Sequence, residues 1–266
     1  MPYTDSHSAR IHWEETGEGT PLLLVMGASW SSEMWYPTLP SLSARHRVIR
    51  FDNRGTGSSQ ASWRATIADM ARDALAVLDA AGVESAHVYG VSLGGVVVQE
   101  MARLAPERVR SLVLGCTGIL SAEKPHASRR DVLRTLLPAT LAKRTATPEG
   151  YGPACPADRA ETDRQALDRE RTRSVVKFQQ TAALRGYVAD KAAVAALPMP
   201  VLVLHGTADT RVPTVLGREL HQTIPRSTLV EYEGAGHNYL VAAGEAPNDD
   251  VLEFLGRVDA AAVVHA

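Results

Sequence analysis

The chain has 266 residues, of which 45% are hydrophobic and 22% are charged, and its formal net charge at pH 7 is −2. These proportions are typical of a globular domain with a sizeable core. The near-neutral charge gives no electrostatic reason to expect nucleic acid or an anionic membrane as a partner. No apolar run is long enough to span a bilayer, and the first residues lack the features of a signal peptide, so we expect a cytoplasmic protein.

Short β-branched runs alternate with helical patterns along most of the chain. The strands are predicted at 22–26, 47–51, 87–91, 112–116, 201–205 and 228–232, and the helices at 67–81, 95–104, 213–224 and 249–258. The nearly continuous apolar character of the strands predicts a parallel sheet covered on both faces. The alternation of strands and helices therefore predicts an α/β fold.

The alternation stops between residues 121 and 196. This segment contains no predicted strand, and its helical patterns are rich in arginine, as in Asp168-Arg-Glu-Arg-Thr-Arg173. We interpret 121–196 as a helical cap inserted into a core formed by 1–120 and 197–266. The arginines have two interpretations: a solvated helix face, or one or two side chains that point inward toward an acidic group of a substrate.

Ser92 lies at the centre of the pentapeptide Gly90-Val-Ser-Leu-Gly94, between a predicted strand and a predicted helix. A serine on such a turn must adopt a strained backbone to expose its hydroxyl, and the flanking glycines leave room where strand and helix crowd together. The helix that follows directs its free amides toward a developing oxyanion. The pentapeptide alone also fits an ordinary glycine-rich turn, but its position between strand and helix favours a nucleophile.

A serine nucleophile needs a general base, which in turn is oriented by a carboxylate. His237 follows the last strand in a glycine-rich loop, and Asp209 lies four residues beyond the preceding strand. Both can therefore reach the sheet edge that carries Ser92. We interpret His205 as a strand-end residue and His221 as an exposed helix residue. The predicted triad is Ser92, Asp209 and His237, in the chain order of α/β-hydrolases.

Two other acidic residues lie near strand ends and are alternatives to Asp209 as the orienting carboxylate. Asp52 also ends a strand but precedes Ser92, and we interpret it as tying down its own turn, with catalysis as the other interpretation. After the strand that ends at Cys116, the first acidic residue is Glu123, which already belongs to the predicted cap. Cys116 and Cys155 have no CxxC spacing, which favours free thiols over a disulfide or a zinc site.

The chain resembles the α/β-hydrolase superfamily over nearly its whole length outside the predicted cap. The residues that carry this resemblance are Gly90-Val-Ser-Leu-Gly-Gly95, Asp52-Asn-Arg-Gly-Thr-Gly-Ser58, Gly206-Thr-Ala-Asp209 and Gly236-His237. The resemblance implies a mostly parallel sheet of about eight strands flanked by helices, with an inserted helical cap. It is far more specific for the fold and the triad than for a substrate.

The resemblance also implies an oxyanion hole formed by the backbone amides of Ala28 and Leu93. Many relatives have His-Gly at the start of the first loop, where this chain has Met26-Gly27. This form of the loop, with the segment 49–57, is similar to methylesterases that act on polyketides of the aclacinomycin type. Gly55 departs from the aspartate of that group.

Several absences narrow the function. Epoxide hydrolases and haloalkane dehalogenases of this fold carry an aspartate nucleophile, so Ser92 disfavours both, and the loop at 26–29 does not match the His-Gly-Gly-Pro of prolyl peptidases. The chain contains no His-Glu-x-x-His, no Gly-x-Gly-x-x-Gly and no Gly-Lys-Ser/Thr, so we expect no cofactor and no metal. The sequence does not indicate an oligomeric state.

The pattern predicts a serine hydrolase that cleaves a small-molecule carboxylic ester or lactone through an acyl-enzyme. Trp30 and Trp35, near the oxyanion loop, are candidate walls of the substrate pocket, with core packing as the other interpretation. The same triad could instead serve C–C bond hydrolysis, perhydrolysis or acyl transfer. A third interpretation is a non-catalytic small-molecule-binding protein with this fold.

Overall fold

The computed structural model describes residues 2–7, 9–60, 65–121, 148–170, 172 and 174–264. Eight strands form one sheet in the order β1-β2-β4-β3-β5-β6-β7-β8. Their bounds are β1 Tyr3–Ser6, β2 Ala9–Thr16, β3 Pro21–Val25, β4 Arg47–Phe51, β5 Ala86–Val91, β6 Val109–Gly115, β7 Val201–Gly206 and β8 Ser227–Tyr232.

The six predicted strands are present, each within three residues of its predicted bounds, and strands β3 to β8 pair in parallel. The central ones are buried along their whole length because helices cover both faces of the sheet. β1 and β2 were not predicted by the sequence. They form an antiparallel extension at the edge, and the polar residues in YTDS and ARIHWEET leave no continuous apolar run.

The helices outside the predicted cap are α1 Leu39–Ser43, α2 Ile67–Ala80, α3 Leu93–Leu104, α8 Val215–Thr223, α9 Tyr239–Ala242 and α10 Ala246–Val264, with short 3₁₀ turns at Ser32–Trp35 and Pro106–Arg108. The four helices predicted outside the cap are present as α2, α3, α8 and α10, although α10 extends to Val264, and α1 and α9 were not predicted. α2 begins at a capping box in which Thr66 and Asp69 bond each other's backbone amides.

The described part of the chain between β6 and β7 contains helices and no strand. The helices are α4 Pro148–Tyr151, α5 Ala157–Arg169, α6 Ser174–Arg185 and α7 Lys191–Ala195. Residues 122–147 of the predicted cap lie outside the described residues. The division into a core of 1–120 and 197–266 and a cap of 121–196 therefore stays a prediction. Among the described helices, none is long and apolar enough to cross a lipid bilayer.

Two buried apolar layers hold the sheet between its helices. One layer packs α2 and α3 against one face through residues such as Met70 and Val97, and the other packs α10 against the opposite face through Phe254 and Leu255. Because parallel strands end at the same edge, the loops after β5, β7 and β8 meet there. This edge carries the predicted site.

Candidate active site

Ser92 has the strained backbone that the turn requires, with φ 54° and ψ −118°. The Ser92 amide donates to the Gly115 carbonyl at 2.8 Å, which anchors the turn to the neighbouring strand. A Cβ at Gly90 would collide with the Gly94 carbonyl, and one at Gly94 would collide with the Val25 carbonyl. Glycine at these two positions therefore allows strand and helix to meet closely enough to expose the serine.

The structure brings Ser92, Asp209 and His237 together from three separate loops. His237 Nε2 lies 3.1 Å from Ser92 Oγ, and His237 Nδ1 lies 2.7 Å from Asp209 Oδ2. Because a carboxylate only accepts, Nδ1 carries the proton and Nε2 presents its lone pair to the serine hydroxyl. The His237 side chain is 15% exposed while that of Asp209 is fully buried, so the imidazole reaches solvent and the carboxylate does not.

The loop after β7 fixes the orientation of the Asp209 carboxylate. Its Oδ1 accepts the backbone amides of Arg211 at 2.8 Å and Val212 at 3.0 Å, which leaves Oδ2 for His237. Burial raises the pKa of Asp209, but the two nearby imidazoles and the Val212 amide outweigh burial and hold the pKa well below its usual value. The carboxylate is therefore ionised at neutral pH.

His205 belongs to this site, which the sequence did not reveal. It is completely buried, and its Nε2 lies 2.8 Å from the Val212 carbonyl and 3.5 Å from Asp209 Oδ2. The prediction that it ends a strand is correct, because β7 ends one residue later. The one sequence feature that could have indicated its place in the site is that His205 lies four residues before Asp209. His221, in contrast, is exposed and contacts Ser227 Oγ at 2.9 Å.

The two residues predicted for the oxyanion hole lie in the turn at Ser92 and in the loop that follows β3. Leu93 is the first residue of α3, so its amide lies among the unpaired donors of a helix N-terminus. Ala28 follows Gly27, where a Cβ would lie 3.4 Å from Ser92 Cβ. Among the described residues, neither amide has a backbone acceptor. Their role as donors to an oxyanion stays a prediction.

The loop that carries His237 is held by the segment between β6 and β7. The Gly236 amide donates to the Tyr151 carbonyl at 2.6 Å, and the Asn238 amide donates to the Gly150 carbonyl at 3.0 Å. The buried carboxylate of Asp163 on α5 accepts the Asn238 side-chain amide at 2.9 Å and the Tyr151 hydroxyl at 2.7 Å. Burial raises the pKa of Asp163 despite these donors. Sequence reasoning missed this carboxylate.

The pocket-wall prediction for Trp35 is corrected by the structure. Trp35 is fully buried, and its ring packs at 5.0 Å from that of Tyr89 within the core beneath the sheet edge. An apolar ring gains more from this burial than from a wall open to solvent. Trp30 is partly buried against the same cluster, and its role at the substrate remains a prediction.

Asp52 holds its own turn in place: its Oδ2 accepts the Ser58 amide at 2.8 Å and its Oδ1 accepts the Ser32 amide at 2.8 Å.

Cys116 and Cys155 are both free, and burial raises the pKa of the Cys116 thiol. Within the described ranges, no group of three or more His, Cys, Asp or Glu side chains is arranged to hold a metal ion.

The arginines of the predicted cap whose side chains the structure describes lie on the surface. Arg159, Arg164 and Arg185 are exposed, and Arg164 pairs with Glu161 at 2.6 Å on the surface of α5. For these three, the solvated helix face is the correct interpretation. The side chains of the other arginines in 121–196 are not among those described.

The chain is similar in sequence to a known protein family and to named bacterial proteins. A family model for the alpha/beta hydrolase fold matches residues 20–241. A protein of Azorhizobium caulinodans named as the carbamate hydrolase RutD is 33% identical, covering 97% of this chain and 100% of its own. A Mycobacterium tuberculosis protein named as the non-heme bromoperoxidase BpoC is 28% identical, covering 94% of this chain and 99% of its own.

The fold likeness extends to a solved structure. A thermophilic esterase from Thermogutta terrifontis, described with malate bound, superposes with a TM-score of 0.79 at 26% identity, covering 97% of this chain and 98% of its own. The family model spans most of the chain, and the first of these relatives aligns over its whole length. The chain therefore belongs to the α/β-hydrolase family.

Proposed function

We propose that this protein is a cofactor-free serine hydrolase that cleaves a carboxylic ester or lactone through an acyl-enzyme intermediate. The observation that carries the proposal is the continuous chain of contacts from Asp209 through His237 to Ser92. A serine hydroxyl is a weak nucleophile at neutral pH, and this chain is the arrangement that activates it.

In the proposed acylation step, Ser92 Oγ attacks the substrate carbonyl carbon while His237 Nε2 takes the hydroxyl proton. The carbonyl oxygen becomes an oxyanion, which the amides of Ala28 and Leu93 bind. The tetrahedral intermediate then breaks the bond to the leaving alcohol, which takes the proton from His237. Asp209 stabilises the imidazolium that forms in between and keeps Nδ1 protonated.

In the proposed deacylation step, a water molecule attacks the acyl carbon as His237 Nε2 takes one of its protons. The second tetrahedral intermediate expels Ser92 Oγ, which recovers its proton from His237 and releases the carboxylic acid. The 15% exposure of the His237 side chain supports this step, because water must reach Nε2. In a lactone the alcohol and the acid remain parts of one product.

The relatives' names favour hydrolysis, and one of them suggests a variant of the reaction. The esterase of Thermogutta terrifontis supports an ester, and RutD is named for hydrolysis of a carbamate, which contains a similar acyl carbon. BpoC is named as a bromoperoxidase, so we retain perhydrolysis as a second candidate, in which hydrogen peroxide replaces water in deacylation. C–C bond hydrolysis and acyl transfer would use the same three residues.

Labelling with a fluorophosphonate probe tests the nucleophile directly. We expect the wild type to be labelled, Ser92→Ala and His237→Ala to lose labelling, and His221→Ala to retain it as the matched control. Folded wild-type protein that stays unlabelled would contradict a hydrolase and favour a binding protein. Loss of labelling in His221→Ala alone would overturn the assignment of the base.

A panel of p-nitrophenyl esters, lactones and β-diketones tests the reaction class. We expect Ser92-dependent turnover of esters or lactones. Turnover of β-diketones alone would contradict ester hydrolysis and indicate C–C bond cleavage. Formation of peracid from an ester at a rate above its hydrolysis, on addition of hydrogen peroxide, would indicate perhydrolysis.

A further inference from the structure

The residue after the proposed oxyanion donor Ala28 has an unusual backbone conformation. Ser29 has φ 70°, in the left-handed region that residues with a Cβ seldom adopt. Such a conformation persists where the surrounding structure fixes it. Here the Ser29 amide donates to Gln180 Oε1 at 2.6 Å, across 151 residues of sequence. Gln180, on α6, is 1% exposed.

This hydrogen bond determines the orientation of the Gln180 side-chain amide. Because an N–H must face an acceptor, Oε1 is the atom beside Ser29 and Nε2 points away from it. Nε2 is buried and has no hydrogen-bond partner among the described residues, and the same is true of the Ser29 hydroxyl. Buried polar groups in native proteins are nearly always paired, and an unpaired one is costly. Two such groups around one hydrogen bond indicate a site that binds a further polar group.

The location of α6 puts this pair beside the serine. A Cβ at Gly27 would lie 3.4 Å from Ser92 Cβ, and Ser29 is two residues further along the same loop. Lys177 lies one turn before Gln180 on the same side of α6, and it is close enough to Arg211, in the loop of Asp209, to be affected by its charge. Helix α6 therefore contacts the loop that follows β3 and lies near the loop that follows β7, and β5, which leads into Ser92, lies between β3 and β7 in the sheet.

We propose that Gln180 Nε2 and Ser29 Oγ form a polar subsite that binds a second oxygen of the substrate, close to the reacting carbonyl. The subsite would take an ether, keto or hydroxyl oxygen of an oxygen-substituted ester or lactone, with both protein groups donating. This inference rests on the proposed hydrolase function and adds a substrate class to it.

Matched esters test the subsite, because replacing one CH₂ by oxygen changes the acceptor and keeps the length. In the acyl portion, p-nitrophenyl methoxyacetate is compared with p-nitrophenyl butanoate. In the alcohol portion, 2-methoxyethyl acetate is compared with n-butyl acetate. The measured quantity is the ratio of kcat/KM within each pair, and dividing the wild-type ratio by the variant ratio removes the intrinsic reactivity of the esters.

The test variant is Gln180→Met, which keeps the length and removes the amide, and Gln179→Met on the same helix is its matched control. We expect Gln180→Met to lower the oxygen-to-CH₂ ratio of at least one pair by about tenfold, and Gln179→Met to leave both ratios within twofold. Ser29→Gly keeps the bond from the amide to Gln180 and removes the hydroxyl, so a smaller loss, about threefold, is expected. This variant also keeps the proposal testable if Gln180→Met does not fold.

Three outcomes overturn the proposal in distinguishable ways. Equal slowing of both members of each pair in Gln180→Met would mean that Gln180 only supports the loop backbone. Unchanged ratios in Ser29→Gly and Gln180→Met, with turnover intact, would refute the subsite alone. A wild type that hydrolyses none of the esters and is not labelled at Ser92 would refute the proposed function and the subsite with it.

Discussion

Replacing Asp209 with Asn tests the proposed mechanism most directly, because the structure determines how the new amide must sit. Oδ1 of Asp209 accepts two backbone amides, from Arg211 at 2.8 Å and Val212 at 3.0 Å. An NH₂ group at that position would face two donors and lose both bonds, at a cost of roughly 2–6 kcal/mol. The amide oxygen therefore takes the Oδ1 position, and the NH₂ faces His237.

This orientation reverses the tautomer of the base. A donor 2.7 Å from His237 Nδ1 makes Nδ1 the acceptor and moves the ring proton to Nε2. Nε2 then donates toward Ser92 Oγ, 3.1 Å away, and is unable to remove its proton. We expect kcat to fall by about 10⁴, equivalent to about 5 kcal/mol of transition-state stabilisation.

Steady-state hydrolysis of a p-nitrophenyl ester at neutral pH measures the loss, with circular dichroism to verify folding. Asp52→Asn is the matched control, since Asp52 is also a buried carboxylate that follows a strand and accepts two backbone amides. We expect it to cost about 1–3 kcal/mol of stability while kcat stays within tenfold. A folded Asp209→Asn variant that keeps more than a tenth of wild-type kcat would refute the assigned role, as would an equal loss in Asp52→Asn.

Three further predictions follow from the same region. Gly94→Ala forces a Cβ against the Val25 carbonyl and should lower the free energy of unfolding by about 1–3 kcal/mol in urea titrations, whereas an unchanged midpoint would contradict the close approach. Asp163→Leu removes the carboxylate that accepts from the Tyr36 and Tyr151 hydroxyls and from the Asn238 side-chain amide, and it should destabilise the protein by about 1–3 kcal/mol; wild-type stability would argue against this network. Folding lowers the pKa of Asp209, so its carboxylate stabilises the fold at pH values above its ordinary pKa of 3.8. The difference in free energy of unfolding between wild type and Asp209→Asn should therefore shrink as the pH falls below 3.8, and a constant difference would contradict this.

Much of the fold and the order of the proposed site residues could be predicted because both depend on local patterns. The apolar runs that became β3 to β8 are buried on both faces, so their composition alone distinguishes them. β1 and β2 lie at the edge of the sheet, and their many polar residues leave no continuous apolar run that would distinguish them from loops. Trp35 was ambiguous for a related reason, since a large apolar residue near a loop suits a core or a pocket wall equally.

The sequence by itself determined the glycine-flanked turn at Ser92 and the positions of Asp209 and His237 beyond strand ends, because these features follow from neighbouring residues. Only the tertiary structure decided which distant groups support them. Gln180 meets Ser29 across 151 residues, and Asp163 meets Asn238 across 75. Hydrogen bonds between such distant segments depend on how α5 and α6 pack over the sheet edge, and nothing in the flanking sequence encodes that packing.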